Sequence, residues 1–517
     1  MQASKSNMEA RMRQLPRIPI EAIWVIIFIT GIFVFVNTHP IRPHDFWFHA
    51  AAGREIVANG QIPAVDTFSY TAAGQPYESY KIYWLMEVTF YLLLQTGGIA
   101  GVVLFQSLVI TAAYALVLLT AWRTTGNWRA ATLAALCAAA TGIEDWNVRP
   151  QAITILIGAC YLLAISELNR GGKRLWLGVF PLGMVIWVNS HGSFVLGFAL
   201  LAAWLAAASL EALAPRLFTA FQFPVAHRPI RTIAAAIILS GLACLLNPRG
   251  PGVLLYLSEM TTNPIVQNLV PEWVPPTIES QVGLFFFSVL LVTILLLAVS
   301  PRRPDIFHLL LFTGFTVLSF KTARGILWFG LTTAPLIAAQ LDAIGQHWQA
   351  KLAAPGHSPR LAPVWINWAF VSLAVVAAFL SLPWFKELLP LPPAKAGLVS
   401  QETPTQATAV LMQNRWPGRL FHSMPFGSYL HWAAQPAYPV FVDSRIELFP
   451  ITVWRDYLTI VNAQPGWEDK LSAYQVNTLM LSPTQDSNLL QAASALPNWQ
   501  KVYQDDVAVI LIRKGNE

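Results

Sequence analysis

The sequence predicts an all-α polytopic membrane domain followed by a small soluble α/β domain. Three observations carry this. Apolar runs of roughly 17 to 25 residues recur over the first three quarters of the chain, the length needed to cross a hydrocarbon core. Of 517 residues, 55% are hydrophobic and only 12% charged, about half the charged share of a soluble protein. After the Pro-rich linker LPLPPAKAG, short strand-like runs alternate with helix-like stretches.

The elements follow in order. Residues 1–19 are a basic N-terminal segment, and the apolar run from Ile20 to Val36 is long enough to span and has no small-residue cleavage site. It therefore reads as a first span and not as a cleavable signal peptide. Eleven spans are expected, near 20–37, 98–122, 129–143, 150–167, 175–189, 192–213, 231–246, 281–299, 305–320, 325–341 and 364–384, making 20–385 the membrane domain. Residues 38–97 form a long first loop. Within it, WLMEVTFYLLLQTGG (Trp84–Gly98) is short, apolar and carries Glu87, which fits an interfacial helix. Residues 386–517 form the α/β domain, with helices expected at ETPTQATAVLMQN and ITVWRDYLTIV and strands at RLFHS, YPVFVDSR, VNTLMLS and VAVILIR. Cys137, Cys160 and Cys244 all lie in apolar runs, so neither a disulfide framework nor a zinc cluster is expected.

Loop charge sets the expected topology. With the N-terminus in the cytoplasm, the cytoplasmic segments hold sixteen basic residues: Lys5, Arg11, Arg13, Arg17, Arg123, Arg129, Arg170, Lys173, Arg174, Arg216, Arg228, Arg231, Arg302, Arg303, Lys351 and Arg360. The outer loops before the tail hold seven: Arg42, Arg54, Lys81, Arg149, Arg249, Lys321 and Arg324. This is the sign the positive-inside rule requires, and it puts the C-terminal domain on the periplasmic or extracellular side of a bacterial cytoplasmic membrane. The basic balance thus has a topological cause, and no nucleic-acid partner is expected.

Polar clusters fall at the outer span ends: PHDFWFH (Pro43–His49), EDWNVRPQ (Glu144–Gln151), WVNSHG (Trp187–Gly192), NPRG (Asn247–Gly250) and KTARG (Lys321–Gly325). Structural readings exist for each. Asp45 can be a helix N-cap, Arg149 a headgroup anchor, His191 a solvated turn residue, and Lys321 with Arg324 snorkelling cations. Together they fit sugar transfer from a polyprenyl-phosphate carrier. A carboxylate takes the acceptor proton, and cations stabilise the departing phosphate. Asp45 is the expected base, and Arg149, Arg249, Lys321 and Arg324 the expected phosphate clamp. His49, His191 and Asn189 would orient sugar hydroxyls or hold a divalent ion. Gln151 and Asn247 complete the same clusters.

At these residues the chain resembles the GT-C class of integral-membrane glycosyltransferases. More closely, it resembles bacterial membrane proteins sharing DFWFHAAAG (Asp45–Gly53), GQIP (Gly60–Pro63), DTFSYT (Asp66–Thr71), WVNSHGSFVLG, FGSYLHW and VFVDSR. The resemblance implies a lipid-linked sugar donor, an acceptor that is a glycan, a lipid or a protein, and Asp45 as the catalytic acid of the first outer loop. Pro43 stands where a two-acid motif has its first acid. That leaves open a metal-free mechanism, a divalent ion (Mg or Mn) held by Asp45 and His49, or a site completed by His44, Asp66, Glu144 or Asp145. Asp443 and Arg445 of the tail are either self-paired or acceptor-binding. Two alternatives remain: a transporter or flippase of lipid-linked sugars, and a non-catalytic membrane subunit for polysaccharide assembly.

Overall fold

A computed structural model describes residues 16–226, 228–263, 265, 270–352 and 364–515. The N-terminal segment up to residue 15, with Lys5, Arg11 and Arg13, lies outside the described residues, as does Arg360.

A helix or half-helix overlaps each expected span. These are α1 (Ile20–Thr38), the second half of α3 (Tyr80–Thr125), α4 (Trp128–Gly142), α5 (Gln151–Asn169), α6 (Val179–Val188), α7 (Val195–Leu213), α8 (Ile230–Cys244), α9 (Gln281–Val299), α10 (Ile306–Lys321), α11 (Gly325–Leu352) and α12 (Val364–Leu380). A further helix, α2 (Phe46–Asn59), belongs to the first loop. Among the described residues six helices are long and apolar enough to cross a membrane by themselves, and α6, α8, α10 and α12 are shorter apolar helices. The alanine-rich face of α4 (Ala131, Ala134, Ala135, Ala138) is fully buried and packs against α11, with Ala334 and Ala338 opposite. Small side chains let these backbones approach where hydrocarbon offers no hydrophobic drive. Leu284, Leu291 and Leu295 of α9 and Leu373, Val376 and Phe379 of α12 point outward instead, as lipid-facing surfaces do.

The stretch expected as an interfacial helix is the first half of α3, which begins four residues earlier than expected, at Tyr80. Gly98, at φ 61° and ψ −163°, breaks the direction between the halves, a conformation open to glycine.

The C-terminal unit holds a four-stranded sheet in the order β1-β2-β4-β3. Here β1 is Arg419–His422, β2 Val476–Leu481, β3 Trp499–Gln504 and β4 Val509–Arg513. β1 and β2 are parallel; the β2–β4 and β4–β3 pairs are antiparallel. Helices α13 (Thr405–Asn414), α14 (Met424–Ala433), α15 (Ile451–Val461), α16 (Trp467–Ala473) and α17 (Ser487–Ala495) accompany it. Two expectations are corrected. YPVFVDSR is no strand of the sheet: Pro439 has no donor for a ladder, and Val440 pairs instead with the first loop, at Ser69. WQKVYQ, lacking a clean alternation, forms the edge strand β3.

The first loop is the layer between bundle and sheet. Ala51, Ala52, Phe68, Tyr77 and Tyr80 share one apolar core with Phe421, Phe441, Val442 and Trp454. Trp47 meets the Tyr429 ring edge-on at 5.0 Å, and Ile41 exchanges backbone hydrogen bonds with Leu398 and Ser400, both 2.8 Å. This loop therefore holds its charged residues against the bundle rim.

Candidate active site

Asp45, His49 and Gly53 recur every four residues, which puts them on one face of α2. Each has a separate task. Gly53 lies so close to α3 that a Cβ there would sit 2.0 Å from the Glu87 carbonyl oxygen. His49, buried, places Nδ1 3.1 Å from Glu87 Oε1. Burial drives the His49 pKa down to about 3 against the pull of Asp45, so the ring is neutral and the contact is a hydrogen bond. These two residues dock the helix on α3 and so aim its first residue. Asp45 makes no side-chain cap bond. Its Oδ2 lies 3.1 Å from Arg149 Nε.

Arg149, just before α5, is the hub of a charged chain. Its Nη1 donates to Glu272 Oε1. The other Glu272 oxygen accepts from Arg324 Nε at 3.1 Å and pairs with Nη2 at 3.0 Å. The order is thus Asp45, Arg149, Glu272, Arg324, from four separate parts of the chain. All four side chains are 24–44% exposed, so the chain opens to solvent. The charge of Asp45, then that of Glu272, raises Arg149 above its ordinary pKa despite burial. Burial would raise Glu272, yet Arg149 and Arg324 hold it down at about 2.

Asp145 adjoins this chain from the turn between α4 and α5. Burial, then the charge of Glu272, pushes its pKa up to about 7 against Arg149 and Arg324. Gln151 Nε2 donates to Asp145 Oδ1 at 3.1 Å. His44 joins Asp45, Arg42, Asn147 and Arg149 in lining a small open cleft. Burial lowers the His44 pKa, with Asp45 opposing. His191 is also neutral, lowered to about 3 by burial and then by Arg324. It bonds Ser193 at 2.8 Å and sets its ring edge-on to Tyr83, 5.6 Å away. Tyr83 lies 5.2 Å from the His49 ring and bonds the Tyr256 hydroxyl at 3.1 Å, so the two histidines flank one half-buried tyrosine.

The other candidates lie elsewhere. Arg249 pairs with Glu259 at 2.8 Å and approaches Glu78 at 3.6 Å. Asn189 and Asn247 are buried staples: Asn247 Nδ2 donates to the Lys81 and Val188 carbonyls, and Asn189 Oδ1 accepts from Trp84 Nε1 at 2.7 Å. Lys321 and Glu144 are exposed. Glu144 lines a second cleft with His39, Arg42 and Lys395. Asp66, Asp443 and Arg445 form a fully buried network away from solvent. Arg445 bonds Asp443 through Nε and Nη2, at 3.0 and 2.7 Å, and reaches Asp66 and the Tyr80 hydroxyl through Nη1. His431 completes it, 2.7 Å from Asp443. Burial would raise Asp443, but Arg445 and His431 hold it well below the carboxylate range. This network ties the first loop to the sheet unit.

Sequence reasoning passed over Glu272, which bridges the two arginines, and Glu87, the partner of His49. Glu272 had a signal. It is an acid beside an aromatic in PEWVPP, within a loop surveyed only for its cations.

No protein-family model matches the sequence, and no curated protein matches it. Solved structures do. The archaeal oligosaccharyltransferase AglB from Archaeoglobus fulgidus, in complex with an inhibitory peptide and a dolichol-phosphate, superposes with a TM-score of 0.53 at 11% identity, over 92% of this chain and 72% of its own. ArnT from Cupriavidus metallidurans, bound to undecaprenyl phosphate, gives 0.52 at 13% identity over 95% and 97%. The arabinofuranosyltransferase AftD from Mycobacteria gives 0.55 at 14% over 97% of this chain and 40% of its own. The chain shares the fold of these solved structures. The match to ArnT runs nearly end to end in both chains, so the sheet unit as well as the bundle falls within the aligned span.

Proposed function

We propose that the protein is a GT-C membrane glycosyltransferase that moves a sugar from a polyprenyl-phosphate carrier to an acceptor at the extracytoplasmic face of a bacterial cytoplasmic membrane. The observation that carries this reading is the solvent-open chain Asp45–Arg149–Glu272–Arg324 at the bundle rim. It joins two carboxylates to two guanidinium groups beside apolar helices, a base and cations for a lipid-borne phosphate. The fold shared with ArnT and AglB supports it. The sixteen-to-seven loop charge bias supports the orientation.

In the proposed reaction Asp45 accepts the proton of the attacking acceptor hydroxyl as the new glycosidic bond forms. The bond from the anomeric carbon to the carrier phosphate breaks, and its electron pair leaves with the phosphate. Arg149 and Arg324 offset the charge that develops there. Neutral His44 offers a hydrogen-bonding edge beside Asp45, and His191 one near Arg324. A divalent ion would need ligands beyond Asp45 and His49, because His49 Nδ1 is engaged by Glu87 and Asp45 by Arg149. Among the described residues no group of three His, Cys, Asp or Glu side chains is placed to hold one. The acceptor is a glycan, a lipid or a protein, and the buried Asp66–Arg445–Asp443 network keeps the outer unit fixed over the site.

The test is mass spectrometry of lipid-linked sugars and envelope glycans from cells with and without the protein, followed by reconstitution in liposomes. Loss of one glycosylated product with accumulation of its lipid-linked donor is expected. Flipping of the donor without any transfer product would replace this reading with that of a transporter.

A further inference from the structure

Glu272 occupies the place an oxyanion would take between two arginines. One of its oxygens accepts from Arg149 and the other from both Nε and Nη2 of Arg324. Forked pairing of this kind is how guanidinium groups hold carboxylates and phosphates alike. With Glu272 in place, the formal charges of Asp45, Arg149, Glu272 and Arg324 cancel, and an arriving anion meets no net attraction from them. With its carboxylate withdrawn, the remaining three carry one positive charge, and two guanidinium groups face one anion-sized gap.

The carboxylate is free to leave without its backbone. The Glu272 carbonyl accepts from Thr322 Oγ1 at 2.7 Å and from the Arg324 amide at 3.2 Å, while the Ala323 amide donates to the Val274 carbonyl at 3.1 Å. The segment is thereby held on the turn before α11 whatever its side chain does, and the Arg324 guanidinium lies 5.0 Å from the centre of the neighbouring Trp273 ring. The Glu272 side chain is 35% exposed, so rotation about its own bonds delivers the carboxylate to water. Asp45 is the less mobile acid, since the docked face of α2 fixes where it starts.

We propose that Glu272 is an internal stand-in for the phosphate of the lipid-borne donor. It keeps Arg149 and Arg324 poised between turnovers and yields its position when the phosphate binds. This rests on the transferase reading above and names the group that controls entry to its anion site. The shared chemistry is a phosphate oxyanion, whether on a lipid or free.

The test uses the full-length protein in nanodiscs, titrated with undecaprenyl phosphate and separately with inorganic phosphate, reading Trp fluorescence and the ligand-induced rise in Tm. Glu272→Gln keeps the shape and removes the competing charge. It is expected to bind undecaprenyl phosphate about tenfold tighter than wild type, the effect of releasing one charge-assisted contact. Glu272→Asp, one methylene short of spanning both arginines, is expected to tighten binding by less, and it keeps the comparison open should Glu272→Gln fold poorly. Arg324→Gln is expected to weaken binding in either background. Equal tightening toward inorganic phosphate supports the slot and assigns it to a free anion. If wild type binds the lipid and both Glu272 variants bind it no better, the stand-in role is wrong and the transferase reading survives. If no variant binds it, both fall.

Discussion

Gly53→Ala is the substitution in which fold and chemistry are most tightly joined. The new methyl would meet the Glu87 carbonyl oxygen at 2.0 Å and its carbon at 2.5 Å, with Tyr91 Cβ at 3.0 Å. The first two are main-chain atoms inside α3, so no side-chain rotation relieves the contact. Restoring an ordinary separation moves α2 off α3 by about 1 Å, and overpacking of this kind costs about 1–3 kcal/mol. The same shift stretches the 3.1 Å contacts of His49 with Glu87 and of Asp45 with Arg149 toward 4 Å, where a hydrogen bond no longer holds. A misplacement of about 1 Å at a catalytic group can cost about a hundredfold in rate. The assay pairs Tm in detergent with turnover on the lipid-linked donor, using Gly31→Ala as control, since a Cβ at Gly31 meets nothing within 4 Å. Wild-type Tm and turnover in Gly53→Ala would refute the claim that docking of this helix aims Asp45.

Two further outcomes are expected. Arg445→Met leaves Asp443 and Asp66 buried without their cation, a loss of about 3–5 kcal/mol. Limited proteolysis should then cleave the 389–397 linker quickly, while a change at exposed Arg455 leaves it intact. Asp145, raised to about 7, stabilises the fold below its unfolded pKa near 3.8, and that contribution is lost as pH rises toward 7. The Tm of wild type minus that of Asp145→Asn should therefore fall between pH 4 and pH 7, and a flat or rising difference contradicts the assigned environment.

Much of this was legible in the sequence because hydropathy and helical spacing are local signals. The apolar runs mark most bundle helices to within a few residues, though α11 runs on past the expected end at 341 to Leu352. The i, i+4, i+8 spacing of Asp45, His49 and Gly53 puts them on one face before any coordinates are known. What stayed hidden depends on partners distant in the chain. Glu87 reads as a reason to keep a helix out of the bilayer, yet it is the buried acid that receives His49. Arg249 looks like part of a phosphate clamp until Glu259 and Glu78 are found beside it. Asn189 and Asn247 look like sugar ligands but use their amides to staple α3 to the bundle. Glu272 lies in a short turn with no periodicity, and only the fold brings it between Arg149 and Arg324. YPVFVDSR has strand composition, but Pro439 and the Asp443–Arg445 pair commit it to the first loop.

The most direct measurement is single-turnover transfer by Asp45→Asn on the lipid-linked donor, with the fold verified by an unchanged Tm and intact binding of undecaprenyl phosphate. The account predicts a loss of about a hundredfold to ten-thousandfold in rate with binding retained, the usual range for removal of a general base. Transfer at the wild-type rate by the asparagine enzyme contradicts it.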